Sequence, residues 1–233
     1  MNRIQIEQQL LTKGSEILEH LDVVCSELRF EKLAQGDIIP LSKYYPVTGQ
    51  ISISEEYMDS IFTSITDFSQ AYSYAKVRFF HLLFHEAGHA SDTYLKTRDM
   101  LVFFLLGNEF PKDTPQAADA EAFAFVKGAR FIEQIHSQTS FFEDMDLDFE
   151  EFLSDFKLEQ IRTAHEADRD IYQIYRDEVE SPLLVGANAK EEVIEEPPVP
   201  CFDYFRAFQQ AEQRYSKLTD AELMLERHNK RYQ

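Results

Sequence analysis

His85, Glu86 and His89 are the residues of this sequence whose types and spacing can do chemistry. Two histidines four apart on a helix stand one turn above the other on a single face. Their imidazoles can grip one ion, and Zn2+ suits nitrogen donors at about 2.0–2.1 Å. Glu86 leans toward the same point without having to bind. Zinc lowers the pKa of a water it holds to about 7, and a carboxylate alongside can take the proton. The expected chemistry is hydrolysis with Glu86 as general base. Val77, Phe80, Leu83 and Phe84 recur at helical spacing among Lys76 and Arg78, so the pattern predicts a buried helix over 74–95. Buried histidines and a buried glutamate need partners. Gly88 costs that helix about 1 kcal/mol against alanine, which implies that another backbone or a substrate comes close there.

A zinc site needs a third protein ligand, and a helix predicted over 115–136 offers Asp119 and Glu121. At about 100° per residue, Lys127, Arg130 and Glu133 mark a solvated stripe. Glu121 falls almost opposite that stripe and Asp119 nearly on it. Glu121 is therefore the favoured third ligand, with Asp119 as the alternative. His81 continues the histidine row upstream, but each four-residue step drifts by about 40°, so His81 is expected behind the ligands or in the core rather than on the ion. Asp92, three residues after His89, is a candidate to orient an imidazole N–H. His20 reads as a packing residue. His165, in a His-Glu-Ala-Asp-Arg run, lacks the second histidine; it and His136 remain distant candidates to bond an oxyanion.

His85, Glu86 and His89 together resemble the zincin metallopeptidases, over about residues 48–132. The His-Glu-Ala-Gly-His-Ala form is similar to bacterial metallopeptidase domains of unknown substrate and to the repressor-cleaving zinc peptidases of mobile elements. The resemblance implies Zn2+ on His85, His89 and an acid from the following helix, as in glutamate-liganded zincins, and a peptide or protein substrate. Such proteins often carry a further acid three or four residues after the glutamate; here those positions are Ala124 and Phe125. An edge strand before the metal helix commonly pairs with extended substrate in zincins, and Ile51–Ser54 is the candidate here. The alternative class is a non-catalytic interaction protein that keeps a metal for stability.

The elements that must position these residues follow from periodicity. Residues 2–12 and 15–35 read as amphipathic helices separated at Gly14-Ser15, and Gln50–Ser54 as a short half-buried strand. Helices are expected over 55–68, over a buried 97–106, and over 149–179. Ser181–Pro200, acidic and rich in proline, reads as a linker or surface loop, and two helices close the chain. The fold class expected is mainly α with a small β element. A metallopeptidase domain over 1–180 is expected, with helices in 201–233 packed on it. Twenty Phe and 11 Tyr among 233 residues supply a core. The net charge of −19 argues against nucleic acid or anionic membrane as partner and favours a basic one. The longest apolar run, Met100–Leu106, is too short to span a bilayer. Without a signal-peptide pattern, and with only Cys25 and Cys201, a cytoplasmic setting is expected, signal-less export aside.

Overall fold

The computed structural model describes residues 3–33, 41–110, 114–166 and 204–230. Its elements run α1 (Arg3–His20), β1 (Glu27–Glu31), β2 (Ser42–Tyr45), β3 (Gln50–Ser54), α2 (Glu55–Ser64), α3 (Phe68–Ser91) and α4 (Arg98–Leu105). They continue as α5 (Pro115–Gln138), α6 (Phe141–Asp144), α7 (Phe149–Glu166), α8 (Tyr204–Ser216) and α9 (Asp220–Asn229). The architecture is mainly helical with one small three-stranded sheet, as the sequence led us to expect. The expected linker at 181–200 and the far half of the 149–179 helix lie outside the described residues.

α3 and α5 form the centre. Asp67 starts α3 by accepting from the Gln70 N–H at 2.8 Å; Thr114 caps α5, with Pro115 in its first turn. Phe79, Phe80, Leu83 and Phe84 of α3 are fully buried with Ala122, Phe123 and Ile132 of α5. Each such phenylalanine is worth about 1.5–3 kcal/mol of burial. Lys76 and Arg78 are buried too. Lys76 donates to the Met145 and Asp146 carbonyls and Arg78 to the Tyr57 hydroxyl, so α3 is covered nearly all round.

Three expectations change. The second N-terminal helix is not formed: α1 runs through Gly14, and the chain then turns at Asp22 (φ 54°) into strand β1. Gly14 is a packing residue, since a Cβ there would stand 2.7 Å from the Leu28 side chain. The strand Gln50–Ser54 exists but is central rather than an edge. It pairs with β1 in parallel (Glu27 opposite Gln50) and with β2 antiparallel (Ser42 opposite Ile53). Ser52 gives its hydroxyl to Glu31, Ser54 caps α2, and both are buried beside Ile51 and Ile53. The third change concerns α4, expected to be buried. Only Met100 is, in a small cluster with Tyr94 and Leu95, while Leu105 and Leu106 are 70% and 74% exposed.

α8 and α9 lie against the α3–α5 pair. α9 begins with a capping box in which Thr219 accepts from the Glu222 N–H and Glu222 accepts from the Thr219 N–H. No helix among the described residues is long and apolar enough to cross a membrane.

Candidate metal centre

The last two turns of α3 present His85 and His89 side by side, their rings 4.8 Å apart and perpendicular. Opposite them α5 presents Glu121. One carboxylate oxygen lies 3.1 Å from His85 Nε2 and the other 3.4 Å from His89 Nε2. A tetrahedral zinc with bonds of about 2.0–2.1 Å separates its ligand atoms by about 3.3–3.4 Å; the two histidine–glutamate spacings are of that size, and the three donor atoms lie within 4.8 Å of one another. His85, His89 and Glu121 are also the group of three among the described residues whose donor atoms converge closely enough to hold a metal.

The close approach of α3 and α5 makes this possible. A Cβ on Gly88 would stand 2.3 Å from the Ala124 carbonyl oxygen. Only glycine lets the α5 backbone lie against α3 there, one residue before His89. The 1 kcal/mol or so that glycine costs the helix is thus exchanged for the spacing that brings Glu121 within reach.

The site is open on one side. The side chains of His85 and His89 are 14% and 13% exposed and that of Glu121 is 32% exposed. Burial disfavours charge on His89, but the Glu121 carboxylate outweighs it and holds the imidazole up to about 9. Burial likewise opposes the charge on Glu121, and the two histidines overcome it, holding the carboxyl well below the usual range. His89 and Glu121 thus face each other with opposite charge. The His85 ring packs tilted against Phe125, centroids 4.4 Å apart, and its Nδ1 is buried without a hydrogen-bond partner among the described residues.

Glu86 stands apart from the three. It is buried, and its carboxylate accepts a 2.6 Å hydrogen bond from the Ser42 hydroxyl on β2. Sequence reasoning did not find Ser42, because nothing in the spacing of 42 and 86 ties them. Tyr204, at the start of α8, was missed for the same reason. Its phenol is pushed well above its ordinary range by burial and by Glu121, so it stays protonated.

The remaining expected residues go elsewhere. His81 is a core residue: its ring packs edge-on against Phe152 at 4.3 Å and its Nε2–H donates to the Phe152 carbonyl. Asp92 does not orient an imidazole. It is the C-cap of α3 with extended backbone, which swings its carboxylate to the Arg227 guanidinium and the Tyr94 N–H. Asp119, the alternative ligand, is buried and accepts from Arg214, Tyr215, Arg227 and Lys230. Of the expected solvated stripe, Glu133 is exposed, but Lys127 and Arg130 beside Asp119 are covered by α8 and α9, and Asp220 pairs with both cations. His136 stacks on Phe149 at 3.7 Å, and His20 bonds Gln138. The His165 side chain lies outside the described residues. No family model matches the chain, and comparison with curated proteins and with solved structures returns no match.

Proposed function

We propose that this chain is a zinc-dependent hydrolase of zincin type, acting as a peptidase. The observation that carries the reading is the convergence of Glu121 from α5 on His85 and His89 of α3, with Glu86 adjacent but outside the triad. His85, His89 and Glu121 would hold the ion, leaving a fourth position toward solvent. A zinc ion there supplies Lewis acidity, which activates water and polarises a carbonyl. Glu86 takes a proton from the attacking water and returns it to the leaving amine nitrogen. The Ser42 hydroxyl holds the Glu86 carboxylate in place for both transfers. β2, not β3, is the strand beside Glu86 with an open edge among the described residues, so an extended peptide paired along Ser42–Tyr45 would run past the base. The acidic chain favours basic peptides, and a cytosolic setting fits the free thiol of Cys25.

The purified protein is expected to carry about one zinc per chain by elemental analysis, lost in His85→Ala/His89→Ala. Glu86→Gln is expected to keep zinc and fold but to lose turnover of a peptide substrate by about 10²–10⁴-fold. Full zinc in the double histidine variant would remove the metal from the reading. Turnover unchanged in Glu86→Gln would remove the base. A zinc-loaded protein inert on peptide libraries would favour the non-catalytic alternative.

A further inference from the structure

Arg227 lies on α9, 135 residues along the chain from Asp92 and 108 from Asp119, yet it bonds both. Its guanidinium is fully buried. Nε lies 3.0 and 3.1 Å from the two Asp92 oxygens, Nη2 also bonds Asp92, and Nη1 bonds Asp119 and the Tyr215 hydroxyl. Tyr94, just past α3, and Phe123, on α5, face the guanidinium at 5.3 and 5.1 Å. Apart from the Tyr215 hydroxyl on α8, these contacts belong to α3, to α5 or to the segment just after α3.

The two aspartates are close to the metal ligands in chain and in structure. The Asp92 N–H closes the last turn of α3 on the His89 carbonyl at 3.0 Å. Asp119 precedes Glu121 by two positions on α5. We infer that Arg227 is a positioning residue for the metal centre, fixing the separation of His89 and Glu121 through Asp92 and Asp119, so that α9 belongs to the site although it gives no ligand. The inference rests on the reading of His85, His89 and Glu121 as metal ligands.

Two devices act between the same helices, and they do different things. The Gly88–Ala124 contact is a steric stop: it prevents closer approach but resists neither separation nor sliding. A guanidinium fork bonded to both helices resists both, because its donors are rigid and directional. A metal site tolerates only about 0.2 Å of error in ligand distance, so slack between α3 and α5 appears first as lost affinity. Lys230 and Arg214 also bind Asp119, but Arg227 is the side chain that holds both aspartates.

The test is a cobalt(II) titration of the full-length protein, followed by the visible absorption of the bound ion, which reports coordination geometry. Wild type, Arg227→Lys, Arg227→Met, Asp92→Asn, Thr219→Ala and His89→Ala are compared, with folding checked by circular dichroism. Arg227→Lys, Arg227→Met and Asp92→Asn are expected to bind cobalt about 10–100-fold more weakly, with a changed band shape. Thr219→Ala, which loosens the start of α9 without touching the fork, is expected to stay within about twofold of wild type. If Arg227→Met does not fold, Arg227→Lys and Asp92→Asn carry the same comparison. Wild-type affinity in those two, or an equal loss in Thr219→Ala, overturns the positioning role. Equal cobalt binding by wild type and His89→Ala instead overturns the metal reading itself.

Discussion

Two clusters of charge sit between α3 and α5, within a helical turn of each other, and they are built in opposite ways. Around Arg227, two aspartates meet one arginine with Lys230, Arg214 and Tyr215 at the margin, and the guanidinium is wholly buried. Around Glu121, one carboxylate meets two imidazoles that can give up their protons, and the group keeps an open side. The first cluster is neutralised by the chain itself. In the proposed reading a cation completes the second. Asp119 and Glu121 are two residues apart, and what distinguishes a structural carboxylate from a candidate ligand here is which distant side chain arrives.

The comparison predicts its own largest contrast. Arg227→Met strands Asp92 in the interior, while Asp119 keeps Arg214, Tyr215 and Lys230, and should cost about 3–5 kcal/mol in the metal-free protein. Glu121→Gln leaves only imidazoles, which can be neutral, and should cost less under the same conditions. Urea denaturation with a chelator present measures both. Equal losses would mean that the two clusters are not different in kind.

Gly88→Ala sharpens the comparison next, because it loads both clusters through the helix spacing. The added methyl meets the Ala124 backbone, which cannot rotate away, so α5 must shift. Overpacking of this sort costs about 1–3 kcal/mol. Zinc binding should weaken as well, since Glu121 moves off the histidines; isothermal titration measures that. A variant with reduced stability but unchanged zinc affinity would show that α5 can yield without carrying Glu121 along.

How much of this was legible in the sequence follows from the range over which its signals act. His85, Glu86, His89 and the inward phase of Glu121 are local facts of helical geometry; the structure brings His85, His89 and Glu121 to one place and sets Glu86 apart on Ser42. The same phase argument sent Asp119 toward Lys127 and Arg130, which is right about the face and wrong about its surroundings. Periodicity reports which side of a helix a residue occupies; it cannot report that α8 and α9 return to cover that side. Arg227 shows the same limit, lying in a polar stretch of α9 with no local mark of burial. The N-terminal misreading has another cause. Leu21, Val24 and Leu28 satisfied a helical period across a real break at Asp22, and a five-residue strand with apolar residues only at Leu28 and Phe30 is too short to declare its own period. Gly14 was taken as a separator because its packing partner, Leu28, is close only in the fold.

The smallest effect concerns the edge of the closed cluster, where charge meets water. Asp220 begins α9 and pairs with Lys127 at 2.8 Å and Arg130 at 2.7 Å, yet its side chain is 55% exposed. Partial burial works against its charge, but the bonds from Lys127 and Arg130 outweigh it and hold the carboxyl below its ordinary 3.8. A carboxyl held down in the folded state stabilises the fold above its ordinary pKa. That contribution fades as pH falls through the folded value, since both states are then protonated. With more than half the side chain in water the pair is worth at most about 1 kcal/mol, or about 2–4 °C in melting temperature for a chain of this size. Wild type should therefore melt slightly above Asp220→Asn near neutrality. The gap should close as pH falls from about 5 to about 2, and it should narrow in high salt at neutral pH. Arg227→Lys, whose lost bonds are buried, should show no such salt dependence. A gap between wild type and Asp220→Asn that persists in strong acid would mean that Asp220 seats α9 through its helix-start backbone rather than its charge, and would leave the Arg227 fork as the ionic attachment of that helix.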